Sequence, residues 1–228
     1  MTVTTKADAA SRLARLDLAT VDPADIDRLA RRGAVPDERV RDGARAILAD
    51  VASRGAAAVR EAAARFGGGS ADGRLLIDAD ELAAAAGRLT PAVRRALDEA
   101  IENVRRFAAS QLPGTTRTTI RDGVDIERRW LPLRRVGCYV PGGSAPYPSS
   151  LVMTVVPARV AGVREIVVAS PADGDGAIDP VLLGAAGLLG VDALLVAGGA
   201  QAIGALAHGL PDAGFRPVDR IVGPGNAW

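Results

Sequence analysis

With 228 residues, the chain is long enough to bury a substantial hydrophobic core. Its 28 basic and 27 acidic residues nearly cancel, and its few aromatic residues are scattered, so neither an overall positive field nor a base-stacking platform is indicated and nucleic-acid binding is not expected. One cysteine, Cys138, excludes an internal disulfide, and the apolar runs are too short to cross a bilayer, so we expect a cytoplasmic protein without membrane contact.

The first part of the chain, up to about Leu112, has the pattern of packed helices. Apolar residues recur there at three- and four-residue spacing, as in the stripe Val40, Ala44, Ile47, Leu48 and Val51. Two helix starts are indicated, one by Asp78 with Glu81 three residues later and one by Thr90 before Pro91. The second helix is predicted to bury a face made by Val93, Leu97, Ala100, Ile101, Val104 and Phe107.

Two segments of this part have an extended rather than a helical pattern. Leu75 to Ile77, after the glycine-rich break Gly67 to Ser70, is interpreted as a strand or an extended connector. Thr115 to Arg121 and Val124 to Leu131 alternate in polarity around Asp122-Gly123, a pair typical of tight turns. These two runs predict a β-hairpin.

From residue 136 onward, short apolar runs alternate with segments of helix length. The runs are Val136 to Val140, Glu165 to Ala169, Ala193 to Ala197 and Arg220 to Val222, and the helical segments are Ser149 to Ala161, Pro180 to Leu189 and Ala200 to His208. Connections of this length place the strands in parallel, with helices on both faces. We therefore predict an α/β fold in which residues 136–228 form a Rossmann-like three-layer domain after a helical region and hairpin at residues 1–135. Pro157 predicts a kink or a late start in the first of these helices.

The predicted ligand site lies beyond the carboxyl ends of these strands, where loops and helix N-termini present N–H groups. The loops are Pro141 to Pro146, Ser170 to Gly174, Gly198 to Gln201 and Gly223 to Asn226. Three of them carry two glycines within their first four residues, which lets the backbone approach a ligand closely. None matches G-x-G-x-x-G or the G-x-x-x-x-G-K-[ST] phosphate loop, so a dinucleotide site here would be atypical.

Three side chains at this edge are candidate ligand contacts, and each has a structural alternative. Tyr139 can stack beside a nucleotide or simply pack on the sheet. The amides of Gln201 and Asn226 can bind a ligand or cap backbone groups. The residues alone leave these alternatives open.

Reactive groups are scarce in this sequence. The only histidine, His208, lies near a predicted helix end and is interpreted as a surface residue, and Cys138 in an apolar run is interpreted as a small buried side chain. Neither a zinc cluster nor a Ser-His-Asp arrangement can be assembled. We therefore predict no catalytic residue and no metal ligand within the chain.

Three motifs follow one another in the second part of the chain. They are VGCYVPGGSAPYPSS at residues 136–150, VAGGAQAI at residues 196–203 and VGPGNA at residues 222–227. In their order and spacing they resemble the histidinol dehydrogenase family, closely from about Trp130 to Trp228 and more loosely in the helical part with Arg65-Phe66.

The resemblance implies an enzyme of histidine biosynthesis that uses NAD and zinc to oxidise L-histidinol through the aldehyde to L-histidine. It also implies Rossmann-like domains of the aldehyde-dehydrogenase type and a homodimer whose active sites use both subunits. Tyr139, Gln201 and Asn226 match the family's NAD contacts, which favours cofactor binding by all three. Family members are longer, and their zinc ligands and acid–base groups lie beyond the position of Trp228, so we expect an incomplete chain that is inactive alone.

Two other interpretations are considered. One is a related zinc- and NAD-dependent diol dehydrogenase, such as one that acts on sulfopropanediol, which would differ in its substrate-binding part. The other is a non-catalytic nucleotide-binding module. The second is less favoured, because no helix follows the last strand to cover the sheet.

Overall fold

The structure is a computed structural model that describes residue 17 and residues 19–30, 38–142 and 146–225. In this part of the chain the helices are α1 (Pro23–Ala30), α2 (Glu38–Arg54), α3 (Ala56–Phe66), α4 (Ala79–Gly87), α5 (Pro91–Ser110), α6 (Pro148–Val160), α7 (Pro180–Leu188) and α8 (Gly199–His208). The strands are β1 (Leu76–Asp78), β2 (Thr116–Arg121), β3 (Val124–Arg128), β4 (Arg135–Tyr139), β5 (Glu165–Ser170), β6 (Ala193–Val196) and β7 (Arg220–Val222). No helix among these residues combines the length and apolar character that a membrane span requires.

Five strands form one mixed sheet in the order β1-β6-β5-β4-β7, and β2 pairs with β3 as the predicted hairpin. Strands β4 to β7 are parallel, whereas β1 is antiparallel to β6. The chain adds β5 and β6 on one side of β4 and then crosses back to place β7 on the other side. The order β6-β5-β4-β7 matches the first four positions, 3-2-1-4, of the dinucleotide-binding strand order, so the predicted α/β, Rossmann-like class is confirmed.

Helices cover the sheet on both faces. Successive residues of β5 show this, because Val167 and Val168 are both fully buried and belong to different hydrophobic clusters. Helices α4, α5, α6 and α7 contribute to the cluster of Val168, and helices α2, α3 and α8 to that of Val167. Burial on both faces explains why the parallel strands are nearly continuous apolar runs.

The N-terminal helical region shares this sheet. Strand β1 extends it beside β6, and Val51 of α2 lies 3.1 Å from the point where a Cβ on Gly204 of α8 would stand. The carboxylate of Asp212 accepts hydrogen bonds from the N–H of Ala56 at the start of α3, with both oxygens at 3.2 Å. Residues on either side of position 135 therefore pack together, and the division into two domains at that position stays a prediction.

Both predicted helix starts are confirmed by their capping hydrogen bonds. Asp78 Oδ1 accepts from the N–H of Glu81 at 2.9 Å, and Thr90 Oγ1 accepts from the N–H of Val93 at 3.3 Å. The helix that begins after Asp78, α4, lies very close to α7. A Cβ on Gly187 of α7 would stand only 2.0 Å from the carbonyl oxygen of Leu82, so a glycine is required at this contact.

Two details differ from the sequence predictions. Helix α6 begins at Pro148 and continues past Pro157 to Val160, so the alternative of a late start is wrong. Phe107 was expected on the buried face of α5, but its side chain is 64% exposed, whereas Leu97 two to three turns earlier is buried. Ala108, the next residue of α5, is buried, so the covered face at this end of the helix is centred on Ala108 and lies about 100° around the helix from Phe107. This is why the prediction for Phe107 is wrong.

An ion-pair cluster occupies the amino-terminal ends of β4 and β5. Arg135 is only 8% exposed, its guanidinium pairs with the carboxylate of Glu165, and it lies 5.2 Å from the ring centroid of Phe215. Glu165 also pairs with the exposed Arg216 at 2.8 Å. Burial lowers the pKa of Arg135 from its ordinary value, because desolvation disfavours the charged guanidinium. This cluster lies at the edge of the sheet opposite to the predicted ligand loops.

The carboxylate of Asp219 connects β7 to this end of the sheet and predicts a pH dependence. It accepts hydrogen bonds from the N–H groups of Arg135 and Arg134 at 3.0 and 3.1 Å, which hold the pKa of Asp219 below its ordinary value of 3.8. Because the pKa of Asp219 is lower in the folded than in the unfolded state, the ionised carboxylate stabilises the fold at pH values above the unfolded pKa. This contribution to stability is lost as the pH falls through the folded pKa.

We therefore expect Asp219→Asn to lower the melting temperature at neutral pH, with the gap to the parent protein closing below about pH 4. Circular dichroism melts of both proteins over this range measure the gap. A gap that stays constant as the pH falls would contradict the role of the carboxylate.

Candidate functional site

A cleft of about 710 Å³ lies over the carboxyl ends of the parallel strands, on the face covered by α2 and α8. Its floor comes from the loops after β4, β5 and β6, through residues Gly142, Pro171, Ala172, Gly198 and Gly199. Its outer wall comes from α2 and from the end of α3, through residues that include Ile47, Arg65 and Phe66. The cleft therefore lies at the edge that the sequence predicted for a ligand.

Tyr139 stands at the end of β4 and lines the cleft. Its ring packs against the hydrophobic cluster of Val167, and its hydroxyl accepts a hydrogen bond from the N–H of Gly199 at 3.2 Å. Gly198, the N-cap residue of α8, provides no side-chain cap. The Tyr139 hydroxyl thus satisfies one of the donors that begin α8, and it connects two of the four predicted loops.

Gln201 lies in the first turn of α8 and lines the same cleft as Tyr139. It is 3% exposed, and its Oε1 is 3.0 Å from the point where a Cβ on Gly199 would stand. Gly199 has a φ of +62°, a left-handed conformation that favours glycine. The structure thus brings together two of the three predicted contact residues.

The third predicted residue, Asn226, lies outside the described residues, as do positions 143–145 of the loop after β4. The residues just before Asn226, up to Gly225, are described. Gly223 packs directly on Tyr139, because a Cβ on Gly223 would stand 2.2 Å from the Tyr139 carbonyl oxygen. The loop after β7 therefore leaves the sheet beside Tyr139.

The glycines of these loops are needed for a reason that differs from the one expected. The sequence suggested that they let the backbone approach a ligand. In the structure, a Cβ on Gly68 or Gly198 would stand 2.9 or 2.8 Å from Cβ of Pro171, and one on Gly142 would stand 2.9 Å from its carbonyl oxygen. Three loops thus approach one proline, which the sequence did not single out.

Sequence reasoning also missed the wall of the cleft formed by α2 and α3. Ile47 was recognised only as part of a buried stripe, and Gly67-Gly68 only as the end of a helical run. Arg65 and Phe66 lie beside these glycines, with the guanidinium 4.8 Å from the ring centroid. The glycine run after an Arg-Phe pair was the available signal, but nothing local indicates that α3 ends at the sheet edge.

The two reactive side chains of the sequence lie where they were expected. Cys138 is fully buried in β4, and burial raises the pKa of its thiol to about 11, which disfavours the nucleophilic thiolate. His208 is exposed at the end of α8. Among the residues that the structure describes, no three His, Cys, Asp or Glu side chains lie close enough together to hold a metal ion.

Comparison with known proteins identifies the family. The sequence model of the histidinol dehydrogenase family matches residues 30–228. The chain belongs to the histidinol dehydrogenase family. Histidinol dehydrogenase from Leifsonia xyli subsp. xyli is 48% identical over 217 residues, covering 93% of this chain and 50% of the relative. That from Nocardia farcinica is 44% identical over 223 residues, covering 95% of this chain and 50% of the relative.

A solved structure agrees with this assignment. The crystal structure of histidinol dehydrogenase from Elizabethkingia anophelis aligns with a TM-score of 0.77 and 29% identity, over 90% of this chain and 47% of that one. The chain therefore spans about half the length of the histidinol dehydrogenases that it matches. These similarities do not favour the diol dehydrogenase or the non-catalytic module that the sequence left open.

Proposed function

We propose that this chain forms the NAD-binding cleft of an enzyme that oxidises L-histidinol through the aldehyde to L-histidine. The observation that carries the proposal is the convergence of Tyr139 and Gln201 on one cleft, in a chain of the histidinol dehydrogenase family. Both residues match NAD contacts of the family that the sequence resembles.

The cleft suits a dinucleotide in size and chemistry. Its volume of about 710 Å³ is within the range of small-molecule sites, and Ile47 and Phe66 offer apolar walls to a planar ring. The N–H groups of Ala200 and Gln201 belong to the first turn of α8 and have no partner within the helix, so they can donate to a phosphate. Arg65, at the rim of the cleft, adds a positive charge.

We assign three residues to contact with NAD, and two of them line this cleft. Tyr139 contributes its ring and holds the start of α8 in place through its hydroxyl. Gln201 offers its amide from the first turn of α8, and Asn226 completes the set from the loop that begins beside Tyr139. NAD, when bound, accepts the hydride that leaves the substrate, and the role of these residues is to bind and orient it.

Zinc dependence, a homodimer with shared active sites and a cytoplasmic location are further parts of the proposal, and they rest on the family resemblance. The described residues do not form a metal cluster. We therefore assign no zinc ligand to them and place no step of the reaction on zinc within this chain. The activity itself is tested by following NADH formation from L-histidinol in the full protein with added zinc, and no NADH formation would contradict the proposed substrate.

The cofactor contacts are tested by substitution. We expect Tyr139→Ala and Gln201→Ala each to weaken NAD⁺ binding by about tenfold, because each removes a contact worth roughly 1.4 kcal/mol. Isothermal titration calorimetry on folded variants measures the change. Phe107→Ala is the matched control, since this aromatic ring is exposed at the far end of α5 and its loss should leave NAD⁺ affinity unchanged. Unchanged affinity in a folded Tyr139→Ala or Gln201→Ala variant would contradict that assignment.

A further inference from the structure

Pro171 is the residue at which the loops around the cleft meet. It follows β5 directly and lines the cleft together with Ala172. The segments that approach it come from three separate connections: Gly68 after α3, Gly142 after β4, and Gly198 after β6. Each is a glycine at a position where a Cβ would stand within 2.9 Å of a Pro171 atom.

Backbone hydrogen bonds hold these segments at the same place. The N–H of Ala172 donates to the carbonyl oxygen of Gly68 at 3.0 Å, and the N–H of Ala197 donates to that of Ser170 at 3.1 Å. The proline ring fixes its own φ, so the loop that carries it has little freedom to give way. The rigid ring of Pro171 packs against the backbone of all three glycine segments and leaves no free volume there. It therefore sets the distances between these segments.

We propose that Pro171 is a positioning residue for the cofactor cleft: its ring spaces the loops at Gly68, Gly142 and Gly198, and so sets the separation of Tyr139 and Gln201 for NAD. This inference rests on the proposed function. By this inference, the glycines of these loops are needed to give the site its shape rather than to contact the cofactor directly.

Gly198 allows a sharp test, because its φ of −120° is open to any residue and the three heavy atoms nearest to an added Cβ all belong to the side chain of Pro171. Gly198→Ala should therefore push the β6–α8 loop away from Pro171. Pro171→Gly should remove the spacer. In the double variant, the new methyl group occupies the volume that the ring has left.

We expect each single substitution to weaken NAD⁺ binding by about tenfold and the double variant to recover most of that loss, because residues in direct contact couple strongly. Calorimetry gives the affinities, and thermal melts confirm that each variant is folded at the measuring temperature. Pro171→Ala keeps the Cβ that Gly68 and Gly198 approach and removes the rest of the ring, so it should lose less NAD⁺ affinity than Pro171→Gly, and it provides the second variant if Pro171→Gly does not fold. Gly114→Ala, on the connection between α5 and β2, is the control, since an added Cβ meets nothing within 4 Å there.

The outcomes separate the two proposals. Recovery of affinity in the double variant supports the role of Pro171, and a purely structural role would lower the melting temperatures without changing the affinity of the folded variants. Losses that simply add in the double variant, or single variants that bind NAD⁺ as the parent does, would overturn the role of Pro171 while leaving the proposed cofactor in place. Absence of NAD⁺ binding by the unsubstituted protein would overturn both.

Discussion

Glu165→Ala should lower the free energy of unfolding by about 3 kcal/mol, which for a chain of this length corresponds to a fall of about 6–12 °C in melting temperature. The reason is Arg135, which is 8% exposed and pairs with Glu165. Without that carboxylate, a guanidinium remains buried with no partner of opposite charge in contact, and the cost of its desolvation is no longer offset. Urea denaturation followed by circular dichroism measures the loss.

Glu102→Ala is the matched control for this prediction. The Glu102 carboxylate also pairs with two arginines, Arg105 and Arg106, but these pairs lie on the solvent side of α5. Exposed pairs contribute little, so this variant should melt close to the parent protein. The double variant Glu165→Ala/Arg135→Met should regain much of the loss, because the buried charge is removed as well. A double variant no more stable than Glu165→Ala would contradict the argument.

The second large effect is expected at the contact of α4 with α7. Gly187→Ala adds a methyl group whose carbon would stand 2.0 Å from the Leu82 carbonyl oxygen and 2.6 Å from its carbon. Both atoms are backbone, so relief requires a shift of a whole helix rather than a change of rotamer. We expect a loss of about 2 kcal/mol or more in unfolding free energy, in spite of the better helix propensity of alanine.

Gly87→Ala is a control for which the opposite change in stability is expected. Gly87 ends α4, the partner of α7, and an added Cβ there meets nothing within 4 Å. Replacing an unhindered helical glycine by alanine should be neutral or stabilise the fold by up to about 1 kcal/mol. Chemical denaturation of both variants compares the two sites, and a Gly187→Ala variant as stable as Gly87→Ala would show that the helices separate at little cost.

The sheet and two cofactor candidates could be predicted from the sequence because their signals are local. A strand buried on both faces is an uninterrupted apolar run, and the loop that follows it carries glycine and amide residues that are visible in the sequence. Tyr139 and Gln201 were found in this way, with the family resemblance deciding between their alternatives. The antiparallel pairing of β1 with β6 was not predicted, because the partner of a three-residue strand is decided far away in the chain.

The features that could not be predicted from the sequence depend on which segments of the chain contact one another in the fold. Periodicity identified the apolar face of α5, but at the carboxyl end of this helix the packing buries Ala108 and leaves Phe107 exposed, so the prediction for Phe107 was wrong. The glycines near Pro171 were recognised as special, yet the atom that each one approaches belongs to a different loop. The wall of the cleft at Phe66 was missed for the same reason, since the direction in which α3 points is set by tertiary packing.

The hydrogen bond from Ala56 to Asp212 has a consequence for synthesis of the protein on the ribosome. It joins residues 156 positions apart, so α3 leaves the ribosome long before the carboxylate that caps it exists. The apolar side chains of α2 and α3 pack against α8, which is also made late. The packing of α2 and α3 against α8 can therefore form only after α8 has emerged, and the long sequence separation of these contacts predicts slow folding.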